Sequence, residues 1–171
     1  MSESRQHADL GPNAAVGFRF AVIVSRFNHD ITAALLDGAR TTLAAHGAVE
    51  DDIVVYDVPG AFELPMTASR LADGRFAAII CLGALVKGET PHFEYLCSVV
   101  AHGIQEVGIR SGVPVIFGVL TCEHRDHATA RAGGDKGNKG AEAAIAAIEM
   151  VNLFSSISAE SQSDGQASSR A

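Results

Sequence analysis

The chain has 171 residues, enough for one domain with a sizeable core. A net charge of −7 with no basic stripe argues against nucleic acid, and 47% apolar residues with only 6% aromatics and no Trp point to a core of Ala, Val, Ile and Leu. No apolar run reaches membrane-spanning length and the polar start lacks a signal peptide's apolar core, so a cytoplasmic protein is expected, with Cys81, Cys97 and Cys122 reduced.

Residues 1–17 are polar with Gly and Pro and read as a flexible segment. Phe18–Ser25 reads as a first strand. A helix follows from about Asp30 to Gly47, with Ile31, Leu35, Ala39 and Leu43 stacked at four-residue spacing. Asp52–Val58 is a second strand, closed by the Pro59-Gly60 turn, and Ala61 to about Leu71 a second helix. Phe76–Gly83 is a continuous apolar run of the kind buried on both faces of a sheet. Thr90 then reads as a helix N-cap and Pro91 as the first helical residue, ahead of an apolar face of Phe93, Leu96, Val100, Gly103 and Val107. Val113–Leu120 is a fourth strand. Helical stretches over 125–132 and 138–155 flank the Gly-rich loop 133–137, and seven serines over 155–171 read as a disordered tail.

Four alternations of strand and helix predict an α/β three-layer sandwich with a four-stranded parallel sheet, ligands binding beyond the carboxyl ends of the strands. The chemistry-bearing loops all follow strands: 26–29, 59–63 and 85–92. At the start of the third helix the first backbone N–H groups lack intrahelical partners, and with the helix dipole they favour an anion of phosphate size. His92 in that turn is the candidate proton-transfer group, as imidazole accepts and donates near neutral pH. Phe27 offers a ring to a planar ligand. The N–H groups of Ala61 and Phe62 suit a ligand carbonyl, and Glu63 suits hydroxyl or amine groups; a carboxylate complementing the dipole of its own helix is the plainer account of Glu63. Arg131, Lys136 and Lys139 flank a Gly-rich turn suited to a phosphate. His124 and His127 lie near Cys122 and Glu123, but without a second ligand pair they read as a solvated helix start and no metal is expected.

These segments together resemble lumazine synthase. The matching pieces are Arg26-Phe-Asn28, Val58-Pro-Gly-Ala-Phe-Glu-Leu-Pro65, Gly88-Glu-Thr-Pro-His-Phe93, Phe117-Gly-Val-Leu-Thr121, Arg131-Ala-Gly and Gly137-Asn-Lys-Gly140, in the family's order over about 18–154. The resemblance implies a flavodoxin-like fold and a cofactor-free transferase that condenses 5-amino-6-(D-ribitylamino)uracil with 3,4-dihydroxy-2-butanone 4-phosphate. It implies that Phe27 stacks on the pyrimidine, that Ala61, Phe62 and Glu63 with Ala84, Leu85 and Val86 bind the uracil and ribityl chain, and that Glu89 and Thr90, through backbone groups, hold the phosphate together with Arg131. His92 would move protons, and Phe117, Arg131 and Lys139 would come from a neighbouring subunit. A pentamer is implied as the minimum unit, and the length of the 133–137 turn leans towards a 60-subunit shell. One departure is visible: Thr121-Cys-Glu-His-Arg-Asp-His-Ala128 replaces the Glu-Gln-Ala that commonly precedes the family's Arg. Three other readings stay open: a flavodoxin-like electron carrier, which would need a Ser/Thr/Gly-rich phosphate loop after the first strand; the archaeal type of riboflavin synthase; and a protein that serves mainly as a shell.

Overall fold

Strand β1 (Phe20–Ser25) is buried along its whole length, so both of its faces must meet apolar partners. They do: Phe20, Val22 and Val24 join one core, and Ala21 and Ile23 the other, as the period of two requires. The structure is a computed structural model that describes residues 10–168, with side chains through residue 161. β1 pairs in parallel with β2 (Ile53–Val58) on one side and β3 (Ala78–Val86) on the other, and β3 pairs with β4 (Val115–Cys122). The strand order is β2-β1-β3-β4, the expected flavodoxin-like α/β arrangement.

Two helical layers cover the sheet. Helix α1 (His29–Ala45) and helix α5 (Lys139–Ser168) enclose the core that contains Leu35, Leu43, Ala144 and Ile148. Helices α2 (Leu64–Leu71) and α3 (His92–Ser111) enclose the one that contains Leu64, Ala68, Val100 and Ile104. A short α4 (Arg125–Ala130) and a small antiparallel ribbon, β5 (Ala132–Gly134) with β6 (Gly137–Asn138), connect β4 to α5.

Several element limits depart from the sequence reading. β3 runs on to Val86 and β4 to Cys122, because their pairing extends in register from Ile79–Val115 to Val86–Cys122. A 3-10 turn over Ala61–Glu63 precedes α2. Helix α3 begins at His92 with Pro91 in the cap position and no side-chain cap bond, so Thr90 does not cap it. Part of the N-terminal segment is docked: Ala15 is fully buried, its N–H donates to the His46 carbonyl, and the Asn152 amide donates to the Ala14 carbonyl. Residues 1–9 lie outside the described residues.

Helix α5 continues past Ser155, where the sequence reading places a disordered tail, and runs to Ser168. Its segment Lys139–Ser161 is long and apolar enough, by length and composition, to cross a membrane, contrary to the sequence expectation. Part of its apolar surface packs inside the fold: Ala143, Ala144, Ala147, Ile148 and Val151 are buried against the sheet and α1, while Leu153, Phe154 and Ile157 are exposed.

Candidate active site

The parallel order β2-β1-β3 brings the carboxyl ends of three adjacent strands together, so the loops that leave Val58, Ser25 and Val86 lie side by side. Between them and the start of α3 is a cavity of about 580 Å³. Phe27 comes from the loop after β1; Gly60, Ala61 and Phe62 from the loop after β2; Ala84, Leu85 and Val86 from the end of β3, and Gly88 and Thr90 from the loop after it; His92, Phe93 and Leu96 from α3. Eight of the residues singled out in the sequence therefore line one chamber: Phe27, Ala61, Phe62, Ala84, Leu85, Val86, Thr90 and His92. Gly60, Gly88, Phe93 and Leu96 complete it. Phe93 and Leu96 read in sequence only as core-facing positions, and both are half-buried, with one side towards the core and one towards the cavity.

The wall is largely apolar and aromatic, with Phe27 and Phe62 69% and 57% exposed. Rings left in water at the mouth of a pocket are available to a planar ligand. Polar groups enter through the backbone. The first α-helical bond of α3 closes on the Pro91 carbonyl from Tyr95, so the N–H groups of His92 and Phe93 have no intrahelical acceptor and point out of the helix start.

Glu63 is not among the lining residues; its carboxylate accepts the Gly60 N–H at 2.9 Å, which fixes the turn that opens the second loop. Glu89 is exposed beside Thr90 without lining the cavity. Lys87 bridges two segments, its ammonium 3.4 Å from the Glu123 carboxylate and 3.5 Å from that of Glu94. The Glu123 hydrogen bond, then the Glu123 and Glu94 charges, raise the Lys87 pKa above its ordinary value.

Asn28 was missed as a site residue. It adopts the left-handed conformation (φ 59°, ψ 46°), alone among the described non-glycine residues, and donates its amide to the Ala84 carbonyl at 2.9 Å. Asn in the short turn between a strand and a helix, directly before the first helical residue, is the available signal, since few side chains tolerate that turn. Its amide oxygen accepts from Arg125, whose guanidinium also holds the Asp30 carboxylate. The Arg125 hydrogen bond is the largest cause that keeps Asp30 below the usual carboxylate range.

Phe117, Arg131 and Lys139 do not line the cavity. Phe117 lies on the outer strand β4 opposite Cys81 and is 42% exposed. The Arg131 guanidinium donates to the His127 carbonyl at 3.0 Å, and the Lys139 ammonium to both Glu142 oxygens at 2.7 and 2.6 Å. The His124 and His127 rings meet edge to face at 5.3 Å. Among the described residues no group of three or more His, Cys, Asp or Glu side chains could hold a metal ion.

A model of the 6,7-dimethyl-8-ribityllumazine synthase family matches residues 17–155, from the residue before the expected first strand to the middle of α5. The chain belongs to that family. Lumazine synthases form 6,7-dimethyl-8-ribityllumazine in riboflavin biosynthesis. The segments that carry the resemblance to lumazine synthases fall into two structural groups. Those at 26–28, 58–65 and 88–93 border the cavity; those at 117–121, 131–133 and 137–140 lie away from it, on β4 and at the entry to α5.

Proposed function

We propose that the cavity is the site where 5-amino-6-(D-ribitylamino)uracil meets 3,4-dihydroxy-2-butanone 4-phosphate. The observation that carries this is the gathering of Phe27, Ala61, Ala84–Val86, Thr90 and His92 from three loops, one strand end and one helix start in a single chamber of about 580 Å³. On this reading the Phe27 ring stacks on the pyrimidine, and Ala61, Phe62 and Glu63 with the Ala84–Val86 segment hold the uracil and ribityl chain. The phosphate takes the N–H groups at the start of α3 with the backbone groups of Glu89 and Thr90, and His92 lies next to it as the proton-transfer group.

The chemistry asks for orientation more than force. The 5-amine of the pyrimidine adds to the ketone and loses water to give an imine. Phosphate is then eliminated from the terminal carbon two positions away, the resulting enol tautomerises to a ketone, and the ribityl-bearing amine closes the ring on it with loss of a second water. Holding two substrates in reacting geometry supplies most of the rate, and proton transfer at His92 adds roughly 10²–10⁴. Phe117, Arg131 and Lys139 are assigned to the site of an adjacent subunit, which makes a pentamer the smallest complete unit and leaves a 60-subunit shell as the larger form. Head-to-tail sharing of this kind closes into rings. The catalytic unit spans 18–154, with 1–17 and 155–171 outside it, and the compartment is the cytoplasm, in keeping with three cysteines free of disulfides.

The test is direct: the two substrates are mixed with purified protein and the absorbance of the lumazine product is followed. Product at a rate well above the uncatalysed background is the expected result. No acceleration by a folded, assembled protein would overturn the reading.

A further inference from the structure

The loop that carries Phe27 is tied down on three sides. Towards β2, the N–H groups of Arg26 and Phe27 donate to the Val58 and Pro59 carbonyls at 2.8 and 3.2 Å. Towards β3, the Asn28 amide donates to the Ala84 carbonyl at 2.9 Å. The third tie reaches in from beyond β4. Arg125, the first residue of α4, donates through Nη1 to the Asn28 amide oxygen at 3.1 Å and through Nη2 to both Asp30 oxygens at 2.6 Å. The first two ties end on backbone carbonyls in the sheet or one residue beyond it, whereas the third exists only because residue 125 is an arginine. It closes the chain Asp30–Arg125–Asn28–Ala84, which joins α1, α4 and the cavity wall. Asn28 holds the left-handed turn next to Phe27, so the orientation of its side chain and the path of the Phe27 backbone are set together.

We propose that Arg125 is a positioning residue for the pyrimidine half of the site: by holding the Asn28 oxygen and the Asp30 carboxylate, it locks the turn that keeps the Phe27 ring at the cavity wall. The inference rests on the reading of Phe27 as the platform for the pyrimidine. It separates site geometry from fold stability for a physical reason. Arg125 and Asp30 are about half exposed, and an ion pair so placed contributes little to global stability. Without it, however, the Asn28 side-chain oxygen loses its fixed partner, which none of the loop's other bonds replaces: the ties to β2 and β3, the Ser25 hydroxyl on the Phe27 carbonyl, and the Ile31 and Thr32 N–H groups on the Asn28 carbonyl all end elsewhere. A guanidinium alone spans both partners, because lysine carries one ammonium and no fork.

The test uses the full chain in its native assembly, with Arg125→Ala, Arg125→Lys, Phe27→Ala and the Phe27→Ala/Arg125→Ala double variant. Arg125→Ala should raise KM for the pyrimidine about five- to tenfold, leave KM for the butanone phosphate within about twofold, and leave melting temperature and assembly mass unchanged. Arg125→Lys should fall between. The double variant should be no worse than Phe27→Ala, because both changes act on one element. A raised pyrimidine KM in Phe27→Ala with none in Arg125→Ala would overturn the role of Arg125 alone. No effect of Phe27→Ala would instead sink the site reading beneath it. Additive effects in the double variant, or an equal rise in both KM values, would show a general structural role and overturn the inference as well. If Arg125→Ala fails to assemble, Asp30→Asn removes the carboxylate half of the clamp and must show the same selective rise in smaller measure.

Discussion

At the scale of single residues, the site separates groups that act on substrate from groups that shape the chamber. Replacing His92 with Ala should lower kcat by about 10²-fold with little change in either KM, because one proton-transfer step is lost while both binding surfaces stay. Steady-state kinetics would check this, and complete loss of activity in a folded variant would show that His92 does more than move protons. Arg131→Ala should raise KM for the butanone phosphate and spare that for the pyrimidine, since a guanidinium–phosphate contact is charge-assisted and bidentate. Cys81 makes a prediction about pH. Burial pushes its thiol from 9.0 up to about 12. A value raised in the folded state gives stability that is complete below pH 9 and is lost as pH rises through 12, since the unfolded thiol ionises first. Melting temperature should therefore fall over that window more steeply in the parent protein than in Cys81→Ala, and parallel slopes would contradict it.

At the scale of elements, the entry to α5 shows how a sequence motif encodes docking. The Asn138 amide donates to the Ala34 carbonyl of α1 at 2.8 Å, while its oxygen accepts the N–H groups of Gly140 and Ala141 at 2.8 and 3.2 Å. One side chain thus caps α5 and fastens it to α1. Two residues on, a Cβ at Gly140 would lie 1.9 Å from the Leu35 carbonyl oxygen, a backbone atom that cannot turn aside. Gly140→Ala should cost about 3 kcal/mol or more, at the upper end of core overpacking, and lower the melting temperature by roughly 6 °C or more. A calorimetric scan with no shift would mean that α5 stands off from α1. The Gly137-Asn-Lys-Gly140 segment, which in sequence is one of the pieces that resemble the lumazine synthases, is a helix-docking device. Helix α3 shows the same layering: Gly103 is where α2 and α3 touch, with Pro65 2.9 Å from the position of an added Cβ.

At the scale of the whole molecule, one chain holds an apolar chamber but not all of the groups assigned to it. If Arg131 and Lys139 complete the chamber of an adjacent copy, two impaired variants can repair each other at substrate concentrations below their raised KM values. Assemblies of Phe27→Ala and of Arg131→Ala, dissociated and mixed, should regain part of the parent activity, because some interfaces then pair an intact Phe27 with an intact Arg131. Activity no higher than the mean of the two variants, in assemblies shown by mass to be mixed, would place each site within a single chain. Light scattering on the parent protein adds the complementary measurement: an active species of monomer mass would refute site sharing, and a stable pentamer would exclude the shell.

The sequence by itself determined the alternation of strands and helices, the burial of β3 on both faces, and the side of the sheet on which the loops converge. These follow from period, apolar runs and the right-handed crossover, which are local or nearly local rules. Only the tertiary structure decided which residues meet. The chamber takes in Phe93 and Leu96, which in sequence are simply a helix's apolar face, and leaves out the Glu63 carboxylate, which turns back to its own Gly60 N–H. It also joined Arg125 to Asn28 and Asp30 across more than ninety residues of chain. Contacts of that kind depend on the register of β3 with β4 and on the close seat of α5 on α1, and neither is written in any window of the sequence short enough to read by pattern.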